Sequence, residues 1–205
     1  MTCHSPLVRY PDSTLALPPA YCGSIRRYAA IAMYGNTVTD TERRFNKREK
    51  DCHRCVIEGS NGIQRLTVPL EKPQEWHSTR LKDVRVSTHG KWWHVHWEAI
   101  CSAYGRTPFF EYYADDIAPA FSGDIELLVD LDDKIDRFCR EALGLPQPLS
   151  SDTGMTVARQ IENIRDVEYY QIWAERFGFT PGLSVLDLIF NMGPEAPLVL
   201  HAMTR

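Results

Sequence analysis

Residues 90–113 read GKWWHVHWEAICSAYGRTPFFEYY, and no other stretch restricts the fold as strongly. Three tryptophans, two histidines, three tyrosines and two phenylalanines share 24 positions. So much aromatic surface is too costly to leave in water, so the segment must cover or enter the core. Trp93, Trp97, Ile100 and Tyr104 recur at steps of four, three and four, one stripe of a helix. Trp92, His96, Ala99 and Ala103 form the neighbouring stripe. Gly105 ends this helix, and Pro108 opens another that carries Phe109, Phe110, Tyr113 and Ile117 inward.

An interior helix needs something to pack on, and the N-terminal half supplies strands. After a loose lead-in, TLALP predicts a short strand. SIRRYAAIAMYG then predicts a helix with Ser24 as N-cap and Gly35 beyond its end. NTVTDT reads as a second strand. RCVIEGSNGIQRLTVPL reads as a hairpin, because Gly59-Ser60-Asn61-Gly62 supplies residues tolerant of positive φ between two β-forming runs. LKDVRVS alternates Leu81, Val84 and Val86 with polar residues and predicts a further strand.

Everything beyond Gly90 reads as helix and loop. ELLVDLDDKIDRFCREALGLP predicts an amphipathic helix with Leu128, Leu131, Ile135, Phe138 and Ala142 inward, stopped by Gly144 and Pro146. Residues 146–165 read as a long loop or lid. In GLSVLDLIFNMGPEAPLVLHAM, Ser184 with Asp187 three residues on forms a capping pattern, Val185, Leu188 and Ile189 face inward, and Gly193-Pro194 makes a break. The expected architecture is α/β: a small mixed β-sheet from the N-terminal half covered by helices from the C-terminal half, in one domain over residues 1–205.

Composition limits the function classes. With 205 residues, 43% hydrophobic and 24% charged, the chain is long enough for its own core. A formal net charge of −4 gives no global field toward nucleic acid, so no nucleic-acid partner is expected. No run approaches the ~18 apolar residues of a membrane helix, and no secretory leader pattern opens the chain. The six cysteines are scattered rather than spaced as a disulfide framework, which points to reduced thiols in the cytoplasm.

Several motifs bear chemistry. His94 and His96 form an H-x-H pair, but on a helix residues two apart diverge, so no metal is assigned to them. Cys52-His53-Arg54-Cys55 has C-x-x-C spacing without the second pair that a structural zinc needs. A small zinc protein is therefore only the third functional reading. The run RRFNKREK lies between predicted strands, where Lys47 and Arg48, with Arg54 nearby, could hold a phosphate or carboxylate; the plain alternative is a solvated loop. Asp187 and Asn191 share a helix face beside the Gly193 break and either line a cleft or simply cap. Nucleotide-loop, zincin and serine-hydrolase motifs are lacking, and no cofactor is named by the sequence.

Several blocks together resemble the WbqC-like protein family: AYCGSIRRYAAI, FNKR with Arg54 after it, GIQRLTVPLEKP, LKDVRVSTHGKWWHVHWEAICSAYGRTPFFEYYADDIAPAF and YYQIWAERFGFTPGLSVLDLIFNMGPE. They run in the family's order from about residue 17 to 200. The opening PPAYCGS keeps only the tyrosine and a turn-forming glycine of the family's usual start. The stretch between FNKR and Arg54 is one residue longer than usual, and the segment from residue 145 to Val167 is shorter than in longer members.

The family occurs among bacterial surface-polysaccharide (O-antigen) genes, and a glycine (aminoacyl) transferase role has been suggested from that setting. The resemblance thus implies a transferase with small-molecule substrates: an activated acyl or aminoacyl donor and a sugar acceptor. His96, Lys47 and Asn191 would be the catalytic set, His96 as base. Arg48 and Arg54 would hold the donor, Trp92, Trp97 and Tyr104 would wall the pocket, and Tyr21 and Asp187 would complete the substrate contacts. The competing reading is a non-catalytic module that binds an anionic metabolite or a partner enzyme. A pocket joining His96, Lys47, Arg54 and Asn191 favours the enzyme, whereas their dispersal favours the module.

Overall fold

The computed structural model describes residues 10, 13–75, 77–150, 157–158 and 164–205. Residues 14–67 follow the sequence expectations closely. Strand β1 (Thr14–Leu17) stops at Pro18-Pro19, which cannot donate to a ladder. Helix α1 (Ile25–Tyr34) begins at Ser24, whose hydroxyl accepts from the Arg27 N–H. It ends at Gly35, whose φ of 72° suits only glycine comfortably. Strand β2 (Asn36–Thr39) then returns parallel to β1, with Thr14 opposite Asn36 and Leu17 opposite Thr39.

The hairpin is β3 (Arg54–Gly59) and β4 (Gly62–Thr67), paired from Arg54–Thr67 to Gly59–Gly62. The positive φ of its turn falls on Gly62, at 92°. The α/β expectation holds, with the strands divided between two small sheets. One is the parallel sheet ordered β2-β1-β5 and the other is the antiparallel hairpin. β5 (Val157–Ala158) pairs parallel with the start of β1, so the second half contributes a strand as well as helices. Of the predicted 146–165 loop, residues 151–156 and 159–163 lie outside the described residues.

LKDVRVS is not a strand. Leu81–Asp83 forms a 3-10 turn, and the extended residues after it make only single bridges, Val86 with Leu70 and Arg85 with Leu127. Its alternation reported burial correctly, since Leu81, Val84 and Val86 are all buried. A strand also needs neighbours of matching length, and among the described residues the short segments around Leu70 and Leu127 give one bridge each.

The helical cover consists of α2 (Trp92–Tyr104), α3 (Phe110–Ile117), α4 (Leu128–Ala142), the single turn α5 (Ala174–Phe177), α6 (Val185–Met192) and α7 (Ala196–Met203). α2 lies on β3, and α1 packs on α7. α6 is buried along its whole length from Val185 to Asn191. One continuous core joins Leu15, Tyr28, Ile57, Ile100, Leu131 and Phe190.

On α2 the buried face straddles both predicted stripes. Trp92, His96, Ile100, Ala103 and Tyr104 are buried, while Trp93 and Trp97 are half-buried. On α4 the difference is larger. Phe138 and Ala142 are only half-buried, whereas Asp132, Asp136 and Arg140 are inside.

Candidate ligand cleft

The carboxyl ends of β1 and β2 open onto a cavity of about 850 Å³. In parallel sheets this is the edge where ligands bind, because the chain leaves each strand there into loops free to vary. Leu17 and Pro18 come from the end of β1. The loop after β2 supplies Asp40, Arg43, Arg44, Asn46, Lys47 and Glu49, and His77 closes the far side.

That loop is tied down. Asp40 Oδ1 accepts from the Arg43 N–H at 3.2 Å, and Asn46 Oδ1 accepts from the Arg48 N–H at 3.0 Å. Phe45 is buried, and its N–H donates to the Thr79 carbonyl at 2.9 Å. Glu42 pairs with both Arg80 and Lys82, and these cations hold its carboxyl below the usual range. Glu49 partly neutralises Arg43 at 2.7 Å. Arg44 and Lys47 complete the cationic wall.

Two smaller hollows continue the cleft. One of about 360 Å³ shares Pro18, Arg44, Asn46 and Glu49 with it and adds Arg48 and Asp51. One of about 610 Å³ shares Ala16 and Asp40 and runs along Thr39 and Thr41 to Asp133. The latter adjoins a pocket of about 210 Å³ lined by Arg27, Thr39, Thr41, Asp130, Asp132, Asp133 and Asp136.

The floor of this pocket is polar and buried. Asp136 is fully engaged: Tyr28 Oη donates to Oδ1 at 2.7 Å and Arg140 Nε to Oδ2 at 2.6 Å. Arg140 Nη1 also donates to Thr37 Oγ1 and to the Pro146 carbonyl, tying α4 to β2. One turn earlier, Asp132 is 1% exposed and neither carboxylate oxygen has a partner. Burial pushes its carboxyl well above the ordinary value; the Arg27 guanidinium opposes that shift and Asp136 adds to it. Arg27 is 9% exposed, and its Nε likewise lacks a partner.

Of the residues singled out in the sequence, Lys47 and Arg48 line these hollows. Arg54 lies on β3, where its Nε donates to Thr67 Oγ1 at 2.8 Å. His96 is 5% exposed, and its Nδ1 is 2.7 Å from the Tyr21 hydroxyl. Burial lowers its pKa to about 4, with the Thr67 backbone pulling weakly the other way. Tyr21 is wholly buried, and its N–H donates to the Asp51 carbonyl.

The aromatic residues are packing elements. Trp92 Nε1 donates to the Ser87 carbonyl, Trp97 stacks on Phe110 and Phe121, and Tyr104 rests on Phe190. Asp187 and Asn191 face inward rather than to solvent or a cleft. Asp187 Oδ2 accepts from Tyr169 Oη at 2.5 Å and from Gln171 Nε2 at 3.1 Å, and burial raises its pKa to about 6. Asn191 Oδ1 accepts from the Ile172 N–H at 3.0 Å, and its Nδ2 donates to the Asp187 carbonyl at 2.8 Å. None of these cavities joins His96 or Asn191 with Lys47; the cationic turn lines one hollow and α4 lines another that shares Ala16 and Asp40 with it.

Arg27 and Asp132 escaped the sequence reading, although a signal existed. Asp132, Asp136 and Arg140 recur at steps of four beside the apolar stripe Leu128, Leu131 and Ile135. Cys52 lies beside His53, with Sγ 3.3 Å from its Nδ1, and burial pushes the thiol up to about 12. Among the described residues no three His, Cys, Asp or Glu side chains form a metal-holding group.

A parallel β-α-β edge opening onto a cationic cleft, with a hairpin and a helical cover, defines an α/β chain built around a small-molecule-sized cavity. The WbqC-like protein family matches residues 28–167, and the chain belongs to that family. This span carries the cationic loop, α2 and α4. The chain is also similar to "Uncharacterized protein Rv1507c" of Mycobacterium tuberculosis (strain ATCC 25618 / H37Rv), with 22% identity over 209 residues, 82% of this chain and 88% of that protein. No solved structure matches. No helix among the described residues is long and apolar enough to cross a membrane.

Proposed function

We propose that the protein is a transferase that holds the anionic part of an activated acyl or aminoacyl donor in the cleft at the ends of β1 and β2 and passes the acyl group to a sugar-like acceptor in surface-polysaccharide synthesis. The observation that carries this reading is the convergence of Arg43, Arg44 and Lys47, with Asn46, on one cavity of about 850 Å³. Guanidinium and ammonium groups fixed on a tied loop suit a phosphate or carboxylate. They also stabilise the charge that develops as the leaving group departs.

In the transfer step the acceptor oxygen or nitrogen bonds to the acyl carbon while the bond from that carbon to the leaving group breaks. The leaving group takes the electron pair and then the proton that the acceptor gives up, so it departs protonated or, where it is a weak base such as a phosphate, hands that proton to solvent. Lys47 and Arg44 face the departing anion. His96, being buried and bonded to Tyr21, serves here to fix Tyr21 and the Asp51 turn rather than to take the proton.

Thermal-shift titration with acyl-CoA, nucleotide sugars and aminoacyl-adenylate analogues tests the reading. A ligand at a hundred times its Kd stabilises the folded chain by about 2.7 kcal/mol. At least one of these anions should do so, and the double variant Arg44→Ala/Lys47→Ala should remove the shift. No shift from any of them, or an equal shift in the variant, sinks the donor site.

The removal of His96 from the cleft favours the second reading, a module that binds an anionic metabolite without turning it over. Stabilisation by a donor with no consumption of it in the presence of acceptors would decide for the module.

A further inference from the structure

We propose that the pocket formed by Arg27 and Asp132 is a subsite for a hydroxyl-bearing ring, a single sugar unit, held by hydrogen bonds to both side chains. The inference rests on the transferase reading and gives its acceptor a place.

Three observations support it. First, Asp132 is an anomaly within its own helix. Asp136, four residues on, has Tyr28 and Arg140 for its two oxygens, so this fold can satisfy a buried carboxyl. Asp132 is equally buried and has no partner for either oxygen. Buried polar groups are satisfied as a rule, so a carboxyl that lies in a pocket lining with neither oxygen bonded calls for a partner, and a ligand seated in that pocket can supply one.

Second, a group of the opposite kind lines the same cavity. Arg27 lies in the first turn of α1, where the helix dipole disfavours a cation, and its Nε also lacks a partner. Gly23 makes room for it, since a Cβ there would come within 2.7 Å of Arg27 Cδ. The two side chains do not satisfy each other, because neither Asp132 oxygen is bonded.

Third, the cavity selects the chemistry. Arg27 Nε–H can only donate, and Asp132 accepts through a carboxyl oxygen in either protonation state. A hydroxyl does both, so adjacent hydroxyls of one ring can match the two groups. An ammonium only donates and would leave Arg27 unmatched. A phosphate only accepts and would face Asp130, Asp132 and Asp133. At about 210 Å³ the pocket is below the ~300–1,000 Å³ of sites for drug-sized ligands, which suits one ring rather than a chain. Thr39, Thr41 and Asp133 also line the neighbouring hollow, which shares Ala16 and Asp40 with the cationic cleft, so a ring seated here lies two adjoining hollows from the donor.

Saturation-transfer NMR with a panel of methyl hexopyranosides at millimolar concentration tests the proposal. Wild type should give ring signals. Asp132→Asn, which keeps the shape, and Arg27→Met should weaken binding by about tenfold or more, and Thr41→Val at the rim should weaken it if α4 variants misfold. Lys47→Ala should leave sugar binding unchanged. No signal from any hexopyranoside, or signals equal in Asp132→Asn, overturns the subsite. So does stabilisation by magnesium chloride alone that disappears in Asp132→Asn, which would make the pocket a cation site. Acyl-CoA binding without sugar binding defeats this inference and leaves the donor reading standing; sugar binding without any anion binding does the reverse.

Discussion

The Tyr21 hydroxyl lies 2.7 Å from Nδ1 of His96, and both rings are buried against Trp92. This pair joins the chain entering α1 to the face of α2. It gives the imidazole a structural task in its neutral form.

A pH dependence follows. The folded-state pKa of His96 is about 4, below the 6.5 of a free histidine. Above 6.5 the ring is neutral in both states. As pH falls from 6.5 toward 4 the unfolded chain gains a proton that the folded one refuses, and stability is lost. Urea unfolding of wild type and His96→Gln across this window should show wild type losing about 3 kcal/mol relative to the variant. Parallel curves would mean that the ring is exposed.

Asp187 should slope the other way. Its carboxyl is raised from 3.8 to about 6, so the folded state holds the proton longer, and stability falls as pH rises through 3.8 to 6. Relative to Asp187→Asn, wild type should lose about 3 kcal/mol over that interval. A constant difference between the two proteins would contradict burial of the charge.

Arg140 is the tie between α4 and β2. Arg140→Met leaves the buried Asp136 carboxylate with only Tyr28 and opens the bonds to Thr37 and Pro146. The expected loss is about 3–5 kcal/mol in chemical denaturation. A loss within experimental error would show that the pair is solvated.

Asn191 holds the chain before α5. Asn191→Ala frees the Ile172 N–H, and amide hydrogen exchange at Ile172 should rise to the rate of a local opening while α6 stays protected. Unchanged protection of Ile172 is the contrary result.

Gly193 has φ of 50°, and a Cβ there would come within 2.5 Å of the Phe109 ring. Gly193→Ala combines strain with overpacking and should cost about 2–4 kcal/mol, read as a lower thermal midpoint. A neutral variant would show that Phe109 moves freely.

What the sequence determined by itself is the set of elements whose signals are local. Ser24 and Gly35 bound α1, Gly59 to Gly62 turns the hairpin, and the aromatic stretch makes α2 a helix with one face in the core. Caps, turns and periodicity act within a few residues, so they can be read without knowing the neighbours. Periodicity even marked Leu81, Val84 and Val86 as buried, though it could not say that they lacked a strand to pair with. Only the tertiary structure decided which charged side chains share a cavity. Lys47 meets the end of β1, Asp132 shares a pocket with Arg27, and His96 turns to Tyr21, each through partners that are distant in the chain. The energy of burying a charge depends on the packing that surrounds it, and no short stretch of sequence contains that packing.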